Sequence, residues 1–363
     1  MTKRQAPSQV SPPAAPRNTI LEGDALSVLR GLPSRSVQCV ITSPPYFWLR
    51  DYGVEGQYGL EPTIDEYLDR MVAVFDEVFR VLKPTGTCWL NIGDAYANDG
   101  KWGGHTSGKH VAALRGQLIG RGRRYTGLKP KDLMLIPFRL ALALQAVGWY
   151  VRSDIIWAKP NPMPESVTDR PTRAHEYIFL LTRSERYYYD ATAITEPVTG
   201  GSHPRTAGRN SRKYVDRDPA HLRAGVTPKS ARPGSGIKAN SSFHAVVNDL
   251  VLRRNRRSVW TVATDPFPDA HYAVFPTELI GPMVLAGSRP GDLILDPFIG
   301  SGTVGVVARQ LGRDYLGIEL SHEYAEMARR RIAEEGRPVV LKRKQRREMR
   351  QVGVTQASLL DVV

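Results

Sequence analysis

The 363-residue chain is poor in cysteine and contains no long apolar run. Its two cysteines, Cys39 and Cys88, lie in apolar strand-like stretches, which indicates buried thiols rather than a disulfide or a metal pair. This usage is typical of a reducing compartment, so we predict a cytoplasmic location. The sequence shows no membrane span, no signal-peptide core and no metal-ligand spacing, and we therefore expect neither a membrane partner nor a metal-dependent reaction.

Two common nucleotide-binding signatures are also missing. The chain lacks the full GxGxxG spacing of dinucleotide-binding loops and the lysine of a Walker loop. Instead, a Gly300-Ser301-Gly302-Thr303 loop joins a predicted strand, 292–296, to a predicted helix, 304–311. Glycines let a ligand approach the backbone, and the start of a helix offers free N–H groups. Glu319 closes the next predicted strand, where an acid can accept from ribose hydroxyls, so the pattern predicts an adenosine-type site.

Acidic residues are outnumbered, 36 against 50 Lys and Arg, which gives a formal net charge of +14. The excess is concentrated between residues 201 and 257, and its densest cluster contains Arg253, Arg254, Arg256 and Arg257. A basic insert between confident sheet elements suits a polyanion, and we predict that these arginines contact double-stranded DNA.

The stretch Thr42-Ser43-Pro44-Pro45-Tyr46 directly follows an apolar run, 37–41, that predicts a buried parallel strand. Two prolines fix φ and remove two backbone donors, so the sheet ladder must end there. The carbonyls of Ser43 and Pro44 are left beside a hydroxyl and the Tyr46 ring. This combination predicts an acceptor-rich site with one stacking face, suited to a planar group that carries an NH2.

Both stretches resemble one family. Thr-Ser-Pro-Pro-Tyr is similar to the catalytic motif of DNA methyltransferases that modify exocyclic amines with S-adenosyl-L-methionine, and the run from Asp296 to Thr303 is similar to their cofactor loop. The catalytic motif comes first here, as in the permuted (β) class. With the β-α-β alternation, the resemblance implies an α/β, Rossmann-like methyltransferase fold with a mostly parallel twisted sheet and helices on both faces.

The resemblance also implies roles for particular residues. The cofactor would be bound by Asp296, Phe298, Gly300, Ser301, Gly302 and Thr303, with Phe275, Pro276 and Thr277 nearby and Asp24 beside the adenine end. The Ser43 hydroxyl and the Pro44 carbonyl would accept the amine N–H groups, and Tyr46 would stack on the base. A base inside a duplex cannot reach such a site, so it must be flipped out.

The target amine is predicted from Ser43, because serine at this motif position is usual for cytosine-N4 enzymes, whereas adenine-N6 enzymes more often carry Asp or Asn. Cytosine-C5 chemistry is disfavoured, since neither cysteine follows a proline. The alternatives are methylation of adenine N6 or of RNA, and a non-catalytic DNA-binding module. Further predicted partners are a cognate restriction endonuclease and a second copy of the chain in a homodimer.

The predicted organisation has five parts. They are a disordered tail (1–18), a catalytic half (19–192), a basic target-recognition insert (193–257), a cofactor-binding half (258–335) and a basic tail (336–363). Within them, helices are predicted at 25–31, 64–82, 133–147, 279–286 and 322–334, and strands at 87–93, 150–157, 176–182 and 315–319. Residues 47–60 and 97–125 are predicted to be loops, the first of them mobile.

Overall fold

The computed structural model describes residues 14–97, 126–197, 253–264 and 275–337. Most of both predicted tails, the predicted loop 97–125 and residues 198–252 of the predicted insert lie outside these ranges.

Strands and helices alternate from residue 19 to residue 158 and again from residue 277 to residue 335, in the order that the sequence predicts; within the described residues between 150 and 261, strands follow one another without an α-helix. The strands are β1 (Thr19–Glu22), β2 (Val37–Thr42), β3 (Leu82–Ile92), β4 (Tyr150–Ala158), β5 (His175–Thr182), β6 (Glu196–Pro197), β7 (Arg253–Arg254), β8 (Val259–Thr261), β9 (Leu293–Asp296) and β10 (Asp314–Glu319). The helices are α1 (Ala25–Gly31), α2 (Ile64–Val81), α3 (Ile136–Ala146), α4 (Thr277–Gly287), α5 (Thr303–Gln310) and α6 (His322–Glu335), with a 3-10 turn at Thr192–Ile194.

Eight strands form one sheet in the order β1-β10-β9-β2-β3-β5-β4-β8. All neighbouring pairs are parallel except those made by β5, which runs antiparallel to β3 and β4. The predicted mostly parallel sheet is therefore confirmed. The chain order reverses between β9 and β2, and ligands of open α/β sheets bind at such a switch point, beside the carboxyl ends of the strands.

The sheet is covered on both faces. Side chains alternate along each strand, so in β2 Val40 faces one core while Cys39 and Ile41 face the other. The first core is completed by α1, α2 and α3, and the second by α4, α5 and α6. Every residue of β2 is buried, which explains why its sequence is a continuous apolar run rather than an alternating one.

Two predicted boundaries were wrong. The gap between the predicted helix 64–82 and the predicted strand 87–93 is absent: α2 ends at Val81, and β3 starts at Leu82 and bulges between its pairs with Val37 and Cys39. Helix α3 starts at Ile136 rather than at residue 133. Leu135 has a left-handed φ of 57°, and the Asp94 carboxylate accepts from the Ile136 N–H at 3.1 Å.

The described residues 195–197 and 253–256 belong to a unit separate from the rest of the chain. In its described part β6 and β7 pair antiparallel, and Arg254 Nε donates to Glu196 Oε1 at 2.8 Å. No helix within the described ranges is both long enough and apolar enough to cross a membrane.

Candidate active site

The two motif-bearing strands lie side by side at the switch point. β2 pairs with β9 through Cys39–Ile294 and Val40–Leu295. At their carboxyl ends, Thr42 Oγ1 donates to Asp296 Oδ1 at 2.7 Å, and both side chains are buried. Stretches that are more than 250 residues apart in the chain therefore meet at one edge of the sheet.

Asp296 is held rigidly by this contact. The Phe298 N–H donates to the same carboxylate oxygen at 3.0 Å. Burial raises the pKa of Asp296 to about 7, although both hydrogen bonds act to lower it. The carboxyl group thus fixes the strand end and the loop that follows it.

The Gly300–Thr303 loop turns tightly between β9 and α5. Gly300 and Gly302 have φ values of 49° and 85°, a region that favours glycine. The buried Arg331 guanidinium of α6 contacts the protein-facing side of the loop. It donates to Ser301 Oγ at 3.2 Å and to Thr303 Oγ1 at 3.0 Å. The loop is therefore fixed from within the protein while Gly300 stays accessible.

A first cavity of about 670 Å³, including its open mouth, lies above this loop, within the size range of small-molecule sites. The Glu319 carboxylate lines it and accepts from the N–H groups of Gly300 and Ser321, each at 2.9 Å. The rings of Phe298 and Tyr58 meet edge to face at 5.5 Å and form an apolar wall. An acceptor at the end of β10 beside an aromatic wall fits an adenosine group.

Not every predicted cofactor residue reaches a cavity. Phe298, Gly300 and Glu319 line the first one, and Phe275, Asp296, Ser301 and Thr303 line a second, described below. Gly302, Pro276 and Thr277 line neither; Pro276 and Thr277 instead form the start of α4.

Asp24 is predicted beside the adenine end of the cofactor, yet its side chain lines neither cavity. One oxygen caps α1 through the N–H of Ser27 at 2.9 Å, and the other accepts from the Tyr58 hydroxyl at 2.7 Å. Asp24 therefore holds the Tyr58 ring in the wall of the first cavity.

The loop predicted to be mobile, 47–60, is held by hydrogen bonds within itself and by contacts to the N-terminus of α1 and, through Glu61, to α2. Besides the Tyr58 contact, the Trp48 backbone N–H donates to the Gly59 carbonyl at 2.7 Å. The buried Glu61 carboxylate accepts from the Gly59 N–H at 2.8 Å and pairs with Arg70 at 2.6 Å. These contacts place Tyr52 and Tyr58 along the first cavity.

Three of the four catalytic-motif candidates, Ser43, Pro44 and Tyr46, line a second cavity of about 970 Å³, again including its mouth. Ser43 Oγ donates to the Tyr46 hydroxyl at 3.2 Å, and that hydroxyl donates to Glu176 Oε2 at 2.6 Å. Pro45 does not line this cavity but the first one, and its carbonyl accepts from the Tyr67 hydroxyl at 3.0 Å.

Sequence reasoning missed three polar residues: Asn91 and Glu176, which line this cavity, and Lys159, whose ammonium pairs with the Glu176 carboxylate. Glu176 is the second residue of β5, Asn91 lies near the end of β3, and Lys159 follows β4. Asn91 Nδ2 donates to the Tyr46 hydroxyl at 2.6 Å and to Glu176 Oε2 at 2.8 Å. A polar residue inside or opening an apolar strand run, as in TCWLNI and HEYIFLLT, was the available signal.

The predicted DNA-binding arginines are described only in part. Arg254 is ion-paired with Glu196, the backbone of Arg253 lies in β7, and the carbonyl of Arg257 accepts from Trp260 Nε1 at 2.7 Å. Their DNA contacts, like that of Arg256, stay predictions. Within the described ranges, no three His, Cys, Asp or Glu side chains cluster as metal ligands do.

Comparison with known proteins gives a family match. The DNA methylase family model matches residues 37–330. The Type II methyltransferase M.Cfr9I of Citrobacter freundii is 46% identical over 322 residues, which are 89% of this chain and 90% of that protein.

Two solved structures show the same fold. The PvuII DNA methyltransferase, described as cytosine-N4-specific, has a TM-score of 0.54 at 18% identity and covers 96% of this chain and 94% of its own. A DNA modification methylase of Thermus thermophilus in complex with S-adenosyl-L-methionine has a TM-score of 0.51 at 22% identity, over 90% of this chain and all of its own.

Proposed function

The chain belongs to the DNA methylase family, and from that membership we propose that it methylates the exocyclic N4 amine of a cytosine flipped out of duplex DNA. Its cofactor is S-adenosyl-L-methionine. That cofactor supplies a methyl group already activated on a sulfonium sulfur. The protein must therefore position the amine and handle the charge that develops on it.

The observation that carries the proposal is the junction of the two cavities. Ser43, Phe298 and Gly300 line both of them, so a nucleoside in the first cavity and a base in the second would meet beside Ser43. Placing two reactants in line in this way removes much of the entropic part of a barrier.

The amine of cytosine is a poor nucleophile, because its lone pair is delocalised into the ring. Acceptors on both N–H groups draw the lone pair out of conjugation, and we assign this role to the Ser43 hydroxyl and the Pro44 carbonyl. These acceptors interact most strongly when positive charge has grown on the nitrogen, so they stabilise the transition state more than the bound substrate.

The choice of cytosine over adenine rests on the serine at position 43, within a family that acts on both amines. The test is transfer of labelled methyl groups from S-adenosyl-L-methionine to unmethylated DNA, followed by nucleoside analysis. We expect N4-methylcytosine in DNA treated with the wild-type protein and none with Ser43→Ala, which should bind the cofactor normally. N6-methyladenine would overturn the base assignment, and transfer to RNA alone or to no nucleic acid would overturn the proposal.

We further propose that residues 193–257 select the DNA sequence and that a restriction endonuclease recognises the same site. The thirteen basic residues of 201–257 supply the charge for the first role, and the class to which M.Cfr9I is assigned suggests the second. Methylome sequencing of DNA from a host that expresses the chain would give the methylated motif directly. A homodimer and a cytoplasmic location stay predictions.

A further inference from the structure

Five polar side chains form a continuous hydrogen-bonded network, and four of them line the second cavity. It runs from Ser43 through the Tyr46 hydroxyl to Glu176, with Asn91 bound to the last two and Lys159 bound to Glu176. The members come from the ends of β2, β3 and β4 and from the start of β5. The network ends at a carboxylate that is only 17% exposed.

The carboxylate at this end is ionised. Burial acts to raise the pKa of Glu176, but the charge of the Lys159 ammonium and the hydrogen bonds from Lys159, Tyr46 and Asn91 outweigh it, so the pKa lies below its usual value. An ionised carboxylate only accepts hydrogen bonds. Asn91 must present its NH2 to it, because the opposite orientation would set a carbonyl oxygen against the carboxylate.

The ionised Glu176 carboxylate determines which group donates in each hydrogen bond between Glu176 and Ser43. Tyr46 has a single hydroxyl proton, and at 2.6 Å it is given to Glu176. The phenol oxygen is then an acceptor toward Ser43, so at 3.2 Å the Ser43 hydroxyl gives its proton to Tyr46. Burial, followed by the charge of Glu176, raises the pKa of Tyr46 well above its usual range, so the phenol keeps the proton it donates.

A serine hydroxyl alone can either donate or accept, and it would hydrogen-bond to a base carbonyl as readily as to a base amine. With its proton committed to Tyr46, Ser43 can offer a base only lone pairs. An exocyclic NH2 finds a partner there, whereas a carbonyl oxygen faces another acceptor.

We propose that Glu176 is a positioning residue which, acting through the Tyr46 phenol, fixes Ser43 as a hydrogen-bond acceptor and thereby selects an amine over a carbonyl on the target base. This rests on the proposed methyl transfer to an exocyclic amine, but not on which base carries it. As positive charge grows on the amine nitrogen, the fixed anion at the far end polarises the whole network toward it. Such cooperative strengthening makes the network more effective in the transition state than in the bound substrate.

The test uses Tyr46→Phe, which keeps the ring and removes the link between Ser43 and Glu176. Tyr177→Phe is the matched control, because Tyr177 is the next residue of β5 and its hydroxyl bonds only to His175, at 3.2 Å, among the contacts found for it. We expect kcat to fall about tenfold to a hundredfold in Tyr46→Phe, with cofactor affinity within about twofold of wild type, and no change in the control. A kcat as high as that of the control in Tyr46→Phe would overturn the proposal.

A double-mutant cycle separates this role from a structural one. Glu176→Gln keeps the size of the side chain but removes the charge and allows Gln to donate. If Glu176 acts through the phenol, adding Glu176→Gln to Tyr46→Phe lowers kcat no further than the worse single variant. Losses that multiply would refute the proposal. Glu176→Gln leaves Lys159 without its ion pair, and a thermal melt will show whether the variant is stable enough to assay. If it is not, the kcat of Tyr46→Phe, compared with that of Tyr177→Phe, is the deciding test.

Selectivity is read directly once the methylated site is known. Duplexes carry either the amine-bearing target base or its keto analogue, uracil for cytosine or hypoxanthine for adenine, each opposite an abasic site so that no base pair must be broken. The wild-type protein should bind the amine duplex more tightly than the keto duplex. In Tyr46→Phe this ratio of affinities should fall at least about fivefold, the effect of losing one hydrogen bond, and an unchanged ratio contradicts the proposal. A wild-type protein that methylates no DNA would instead refute the proposed function.

Discussion

Three glycines with positive φ, two in the cofactor loop and one after α5, allow a prediction that separates backbone strain, a steric clash and obstruction of the cofactor cavity. Gly302 has φ 85°, and a Cβ there would lie 3.0 Å from Ala328 Cβ and 3.1 Å from Ala328 Cα in α6. Gly312 has φ 75° with no heavy atom within 4 Å of such a Cβ. Gly300 has φ 49°, and its Cβ would meet nothing closer than 3.9 Å.

The magnitudes follow from these distances. An L-residue in the left-handed region costs about 1–2 kcal/mol, so Gly312→Ala should lower the free energy of unfolding by that amount and no more. Gly302→Ala adds a clash with the backbone of α6, which overpacking data put at about 1–3 kcal/mol more. Gly300→Ala should match Gly312→Ala in stability, yet weaken cofactor binding about tenfold or more, because Gly300 lines the first cavity and an added methyl group there would crowd the ligand.

Urea unfolding followed by tryptophan fluorescence gives the three free energies, and calorimetric titration with S-adenosyl-L-methionine gives the affinities. The ordering of the variants is the decisive result. Equal destabilisation by Gly302→Ala and Gly312→Ala would show that α6 does not press on the loop as the structure has it. Wild-type cofactor affinity in Gly300→Ala would mean that the first cavity is not the cofactor site.

Other contacts give three further expectations. Thr42→Val should cost about 1–3 kcal/mol in urea unfolding, because it leaves the buried Asp296 carboxyl without its hydroxyl partner. Burial raises the pKa of Asp296 to about 7, so from pH 4 to 7 the folded state holds a proton that the unfolded chain has lost, and this group's contribution makes stability fall as pH rises. The stability of Asp296→Asn relative to wild type should therefore rise across that pH window, by up to about 1.4 kcal/mol per pH unit. A pH-independent difference in stability would contradict the raised pKa of Asp296. Arg331→Met should weaken cofactor binding severalfold through Ser301, whereas the exposed neighbouring substitution Arg330→Met should not; equal affinities in the two variants would show that the guanidinium does not support the loop.

The elements nearest the chemistry were predictable because their signals are local. The apolar run before Ser43 predicts a buried strand, the two prolines predict its end, and glycines between an apolar strand and a helix predict the cofactor loop. Helix α2 follows from apolar residues at helical spacing behind Thr63, whose side chain accepts from the Glu66 N–H at 3.2 Å.

Other features depend on contacts that no local pattern reports. Periodicity predicts that β5 is a strand but not its direction, and only the antiparallel direction brings its first residues to the edge where β2 ends. Asp24 is a typical turn residue in sequence, and its contact with Tyr58 depends on how a loop 34 residues away is folded.

The sequence by itself determined the fold class, the cofactor loop and the acceptor-rich strand end, because short-range periodicity and the backbone restrictions of proline and glycine are properties of neighbouring residues. Only the tertiary structure decided that Glu176, 130 residues beyond Tyr46, ends the hydrogen-bonded network that begins at Ser43. The direction of a hydrogen bond depends on which groups meet in space, and packing of the sheet, rather than order along the chain, brings these groups together.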